Sequence, residues 1–287
     1  MENIKERLNK NVLKIEEFYN ISFEIFKNFI FKNKVFVILF FLVNVFISFT
    51  AENSQGIRGM LDILLIPDIQ SFKKLWISFN LFLLLSLISG LMGILIMQKV
   101  ADQIEGNNFS NLGESCLKYL KLTSLFIILF FLFSIILSFI WIIIIIVYFL
   151  ISGIENFTPD NVHNVTWINI TVCIVAFITL IFMIINTLYF IQIYYLRDLS
   201  IYEALSYNFH LCKKNKMKFI VPVALLIFLK ILVAVPLNIL NIVTTFSSYG
   251  FLTITLTAAL NSIFKIFFYI LAVIIYLNVE YSDFKKV

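Results

Sequence analysis

The sequence predicts an all-α polytopic membrane protein: six transmembrane helices in three hairpin units, each preceded by an amphipathic interfacial helix. Three observations carry this. The 287 residues are 61% hydrophobic and 14% charged, with a mean hydropathy of +0.98, more apolar surface than a soluble domain of this length can hide. Apolar runs of spanning length recur along the chain. The Lys and Arg residues between those runs fall almost entirely on one side.

The elements follow in order. In residues 1–34 no apolar stretch and small-residue cleavage site mark a signal peptide. Phe18, Ile25, Phe26, Phe29 and Ile30 make one face of a first interfacial helix over Ile15–Phe31, with Lys32 and Lys34 as its basic elbow. Val35–Ala51 is the first span. Residues 52–74 form an outer loop in which Met60–Ile66, before Pro67, rests on the membrane surface. Leu75–Gln98 is the second span, with Ser89, Gly90 and Gly93 small enough to admit a close neighbour. A polar turn over 99–109 leads to a second short helix, Ser110–Lys121, with Leu112, Cys116 and Leu120 on one side. Leu125–Ile151 and Ile168–Tyr195 are the third and fourth spans. Ser200 and Glu203 then stand in capping-box spacing. Ile201, Leu205, Phe209 and Cys212 share a face, and Lys213, Lys214, Lys216 and Lys218 crowd the elbow before the fifth span, Phe219–Leu240. Phe251–Val279 carries the sixth span, and Glu280–Val287 is a charged tail.

Seventeen Lys and Arg residues lie in the N-terminal segment, the second and fourth loops and the tail, whereas the opposite side has Arg58, Lys73 and Lys74. By the positive-inside rule both termini are cytoplasmic. The abundance of Ile, Asn, Lys and Phe points to an AT-rich bacterial genome, hence a bacterial inner (plasma) membrane. The chain is read as one integral membrane domain built of units at about 12–98, 110–196 and 200–279. VFVILFFLV at 35–43 and LFIILFFLF at 125–133 share six of nine residues, and NNFS at 107–110 stands ninety positions before RDLS at 197–200.

No HExxH, GxSxG or phosphate-loop motif is present, and Cys116, Cys173 and Cys212 lack metal-ligand spacing, so neither enzyme chemistry nor a metal or cofactor is expected. No basic face outside the membrane is large enough for nucleic acid. Two cations stand out instead. Lys230 and Lys265 fall near mid-bilayer, where a charge costs about 2.5–3.5 kcal/mol on insertion scales and calls for polar company. Thr257, Asn261 and Lys265 are spaced i, i+4, i+8 on one helical face, and Lys230 and Asn238 align on the fifth span. Asn44, Asn80, Asn186 and Gln192 are further possible partners. This pattern points to a cationic pocket inside the bundle for an anion such as a lipid phosphate. The alternatives are lysines that are neutral or capped by neutral groups, and a membrane scaffold without a small ligand.

The segment S200-IYEAL with its KKNK elbow (Lys213–Lys216), and its counterpart S110-NLGESCLKYL, resemble bacterial six-span proteins grouped with the membrane domain of glycerophosphodiester phosphodiesterase. The resemblance implies an integral membrane module concerned with lipids or the envelope. The catalytic barrel of the fused members has no counterpart here. A second resemblance joins Glu203, Ala204 and Pro222 to the coupling helix of import-type ABC permeases, with Leu205 and Phe209 replacing the second Ala and the Gly of that pattern. It implies a separate ATPase partner docking at Ser200, Glu203, Phe209, Lys213 and Lys214.

Overall fold

The computed structural model describes residues 2–10, 13–53, 69–106, 111–152, 162–244 and 250–284. They form α1 (Glu2–Lys10), α2 (Ile15–Lys32), α3 (Lys34–Asn53), α4 (Ile69–Glu105), α5 (Leu112–Ser152), α6 (Val162–Asn186), α7 (Phe190–Leu196), α8 (Ile201–Thr244) and α9 (Gly250–Phe284), with no strand among the described residues. Five helices are long and apolar enough to cross a membrane, or six if the bent pair α6 and α7 is one span. Helices suit that setting because each satisfies its own backbone where no water reaches. The surface segment expected at Met60–Ile66 lies outside the described residues, as do the side chains of His163 and Asn238.

The chain divides into two compact units, Met1–Ser115 with Tyr189–Val287, and Cys116–Leu188. The second unit holds most of α5 and all of α6, whose described side chains are largely apolar and exposed. The first is organised around α9, which packs against α1, α2, α3, α4, α7 and α8. Every residue of α9 from Ile270 to Glu280 is buried, and Ile94–Met97 and Val100 on α4 and Tyr189–Phe190 and Ile193–Leu196 beside it complete the core. The core therefore sits at one end of this unit, where α1 and α2 wrap the helix ends. Phe18, Ile25 and Phe29 of α2 face inward as the sequence pattern requires. Tyr19 stacks on Phe267, and its hydroxyl donates to the Pro222 carbonyl at 2.7 Å. Burial pushes the Tyr19 phenol upward, so it stays a donor at neutral pH. The short helix α1 is an addition to the expected order. Ile4 and Leu8 bury its inner side, and Asn278 of α9 donates to the Leu8 carbonyl.

Two of the three expected elbows are sharp breaks. Asn33 stands between α2 and α3 at φ −118°, ψ 39°, and Asn215 interrupts α8 at φ −126°, ψ 16°. Each Asn side chain donates back to the carbonyl four residues earlier, Phe29 at 3.1 Å and Leu211 at 3.3 Å. An amide that competes for a helical carbonyl loosens the ladder at that point. The third elbow differs. Between Ser110 and Lys121 the sequence pattern marks a separate short helix, but α5 runs unbroken from Leu112 to Ser152. At the position midway between the two asparagines stands Ser124, which bonds to Lys121 and leaves the helix intact. Leu112 and Leu120 are exposed, and it is Ser115 that turns inward to donate to Gln98 at 2.7 Å.

Other boundaries shift for similar local reasons. The polar residues 99–105 continue α4 as helix, and residues 280–284 continue α9, so Glu280 is a buried core residue where a free tail was expected. The fourth span is broken at 187–189. The freed Tyr189 N–H donates to the Asn208 side-chain oxygen Oδ1 at 3.0 Å, and the buried Tyr189 hydroxyl donates to the Asn215 backbone carbonyl at 2.8 Å.

At Gly93 of α4, a Cβ would stand 2.3 Å from the Tyr269 ring of α9. We expect Gly93→Ala to destabilise the protein by about 1–3 kcal/mol, the range for overpacking a tight contact. Thermal unfolding in detergent should show the loss, and Tyr269→Leu in the same chain should recover part of it.

Candidate functional site

Of the sequence-derived pocket, the structure brings together Lys265, Thr257 and Asn261 on α9, Lys230 on α8 and Asn44 on α3. The Lys265 ammonium donates to Asn44 Oδ1 at 2.6 Å. The same oxygen faces the Ser89 hydroxyl of α4 at 3.5 Å, while the Asn44 amide nitrogen donates to the Phe40 carbonyl at 2.8 Å. That last bond orients the amide so that its oxygen meets the lysine. Lys230 stands half-buried on α8, the helix that packs against α9. Neither lysine makes an ion pair among the described residues. Thr257 Oγ1 is buried without a hydrogen-bond partner among the described residues, two turns from Lys265. Sequence spacing missed that Thr253, buried at 3% exposure, and Tyr269 extend the same i, i+4 series. Asn80 and Asn186 each donate back to their own helix, at the Trp76 and Phe182 carbonyls.

A second cluster closes the other end of this unit, where no local sequence pattern marks it. Arg197, in the link between α7 and α8, forks onto Glu105 with two bonds of 2.9 Å. Its Nε donates to Glu280 Oε1 at 2.9 Å, and Nη2 reaches Glu280 Oε2. Tyr281 donates to Glu105 and Tyr276 to Glu280, each at 2.7 Å. The side chains of Glu105 and Glu280 are only 7% and 2% exposed. Burial opposes the charge on Arg197, but its hydrogen bonds to Glu280 and Glu105 hold its pKa above the ordinary guanidinium value, so it stays cationic. This clamp joins α4, the start of α8 and the end of α9 in one network.

The first arm of α8 presents its polar cap as expected: the Ser200 N–H donates to Glu203 at 2.8 Å, and the Glu203 N–H to the Ser200 hydroxyl at 3.3 Å. Its inner face differs from the expected stripe. Ala204, Asn208, Leu211 and Cys212 are buried, while Phe209 is 49% exposed beside the exposed Tyr202, Lys213 and Lys214. The reason is the break at 187–189, which needs Asn208 inside to take the Tyr189 N–H and so rotates Phe209 outward. His210 and Asp283 meet at 3.0 Å near the same surface. Among the described residues no group of three His, Cys, Asp or Glu could hold a metal ion.

These features define an all-helical chain of the multi-pass membrane class, with Lys265 bonded to Asn44 between two of its helices and a buried ionic clamp that joins three. No protein-family model, curated protein or solved structure matches the chain.

Replacing Arg197 by Met strands two buried carboxylates. Breaking a buried pair this way costs about 3–5 kcal/mol, so we expect a large fall in thermal stability. Adding Glu105→Gln and Glu280→Gln should restore much of it, whereas Arg197→Lys should not, because an ammonium cannot fork onto both carboxylates. Circular-dichroism melting of the three variants beside the parent tests this order.

Proposed function

We propose that this protein is a non-enzymatic membrane module that binds or moves an anionic, lipid-like ligand at the Lys230–Lys265 site. The observation that carries this reading is the Lys265 amino group, placed among helices and bonded, among the described residues, to the neutral Asn44 amide, with Lys230 on the packed helix α8. Among the described residues no carboxylate pairs with either lysine, so an anion would supply the counter-charge. An anion there would gain charge-assisted hydrogen bonds from both, stronger than those an amide accepts. Thr257 offers a hydroxyl that nothing else uses.

The setting we propose has six spans in three hairpin units, each led by an amphipathic helix lying along the membrane surface. Both termini face the cytoplasm of a bacterial cell, with the basic elbows on the anionic leaflet. The equivalent breaks at Asn33 and Asn215, 182 positions apart, support the repeat. The resemblance to membrane domains of glycerophosphodiester phosphodiesterase is in keeping with a lipid-directed role.

The exposed Tyr202 and Phe209 beside Lys213 and Lys214 favour a second reading, a permease whose 200–214 helix docks a separate ATPase. That reading expects an ATPase to co-purify and to be lost on Phe209→Ala.

Native mass spectrometry of the protein in detergent, beside Lys230→Leu and Lys265→Leu, separates the readings. We expect a discrete anionic lipid on the parent and its loss from both folded variants. A parent that carries nothing specific, with variants that are merely more stable, would mean that the lysines serve only the fold.

A further inference from the structure

The elbow between α2 and α3 holds a cation that the fold leaves short of partners. Lys99 of α4 reaches across to it. Its ammonium donates to Asn33 Oδ1 at 3.4 Å and stands 4.8 Å from the centroid of the Phe36 ring. The Asn33 amide nitrogen donates to the Phe29 carbonyl at 3.1 Å, which turns the amide oxygen towards the lysine. An ammonium has three N–H donors. Among the described residues Lys99 has one acceptor, and no carboxylate pairs with it. The ring face and the amide oxygen ease the charge without neutralising it. Lys32 and Lys34, on either side of Asn33, are exposed and add to the positive charge of the same elbow.

α3 has the length and composition of a span from Lys34 to Ala51, so the elbow falls where a span meets the headgroups. Just beyond it Val35, Ile38, Leu39 and Leu42 share one face of α3, and all four are exposed. Leu39, three residues on from Phe36, brings this face up to the ring that Lys99 covers. A soluble anion gains nothing from that face. A phospholipid sets its phosphate among the lysines and lays an acyl chain along the apolar residues, so both parts of the surface suit one molecule. The shared recognition chemistry is a phosphate oxygen on an ammonium group.

We propose that the α2–α3 elbow is a headgroup site for an anionic phospholipid, with Lys99 donating to the phosphate beside Asn33, and Lys32 and Lys34 supplying the surrounding charge. The site rests on the proposed setting of basic elbows at an anionic leaflet and is separate from Lys230 and Lys265.

The test titrates phosphatidylglycerol or phosphatidylcholine onto the full chain in detergent, read by native mass spectrometry. The parent should retain phosphatidylglycerol in preference to phosphatidylcholine. Lys99→Gln should weaken that retention about tenfold, the effect of one charge-assisted hydrogen bond, and Lys99→Arg should keep it. Asn33→Asp places a carboxylate against Lys99 in nearly the same volume, so it should expel the lipid to a similar degree from a chain that still folds. Lys34→Gln is an exposed change that keeps the experiment decisive if neither inner variant folds, and it should weaken retention about fivefold. Equal retention of the two lipids by the parent overturns the proposal, as does full preference in a folded Asn33→Asp or Lys34→Gln chain. Displacement by excess inorganic phosphate would mark a site for a soluble anion and overturn the lipid assignment. A lipid lost from Lys230→Leu and Lys265→Leu but kept by Lys99→Gln supports the Lys265 reading and overturns the elbow site. A lipid kept by those two and lost from Lys99→Gln supports the elbow site and counts against the Lys265 reading.

Discussion

Arg197 divides its guanidinium between two carboxylates that have almost no contact with water, and the helices around it are arranged to make that possible. Glu105 arrives at the end of α4, Glu280 in the last turns of α9, and Arg197 in the link that starts α8. Removing the guanidinium leaves two carboxylates unpaired where little water reaches, which a folded chain resists strongly. The clamp therefore fixes the angular positions of three helices at one end. Packing then fills in above it, as the Tyr269 ring settles against the bare backbone of Gly93. At the other end no comparable network appears among the described residues, and there the polar stripe of α9 begins.

The arrangement has a simple physical logic. Helices in a bilayer gain little from hydrophobic contact with one another, since lipid is as apolar as leucine. Their mutual placement must come from close packing and polar contacts. The first unit has both: Gly93 against Tyr269, Asn44 between Lys265 and Ser89, Tyr19 on the Pro222 carbonyl, and Gln98 against Ser115. In the second unit, Ser134 and Ser138 of α5 bond to carbonyls of their own helix.

The helical class, most span positions and the polar contact of Lys265 with Asn44 were legible in the sequence, because a charge or amide within an unbroken apolar run is conspicuous and its cost is known. The clamp was not. Glu105, Arg197 and Glu280 each stand at the edge of a span, where single charges are ordinary, and their pairing spans separations of 92 and 83 residues that no local pattern encodes. Phe209 was misplaced because periodicity puts apolar residues inside and amides outside. Asn208 reverses that order to satisfy a backbone N–H exposed by a break in another helix. The elbows at Asn33 and Asn215 were marked by their lysines, and an asparagine stands at each break, whereas the region near Ser124 stays helical.

The clamp also imposes an order on synthesis. The ribosome makes Glu105 first, Arg197 next and Glu280 only 83 residues later. At translation rates of about 5–20 residues per second, α4 and α8 wait roughly 4–17 s for the second carboxylate and for the helix that fills the core between them. During that interval the guanidinium has one partner instead of two, and the inner faces of α4 and α8 have no α9 to cover them. The nascent bundle is therefore most exposed to wrong partners just before α9 enters the membrane, a window in which an insertase or a chaperone would have the greatest effect on yield.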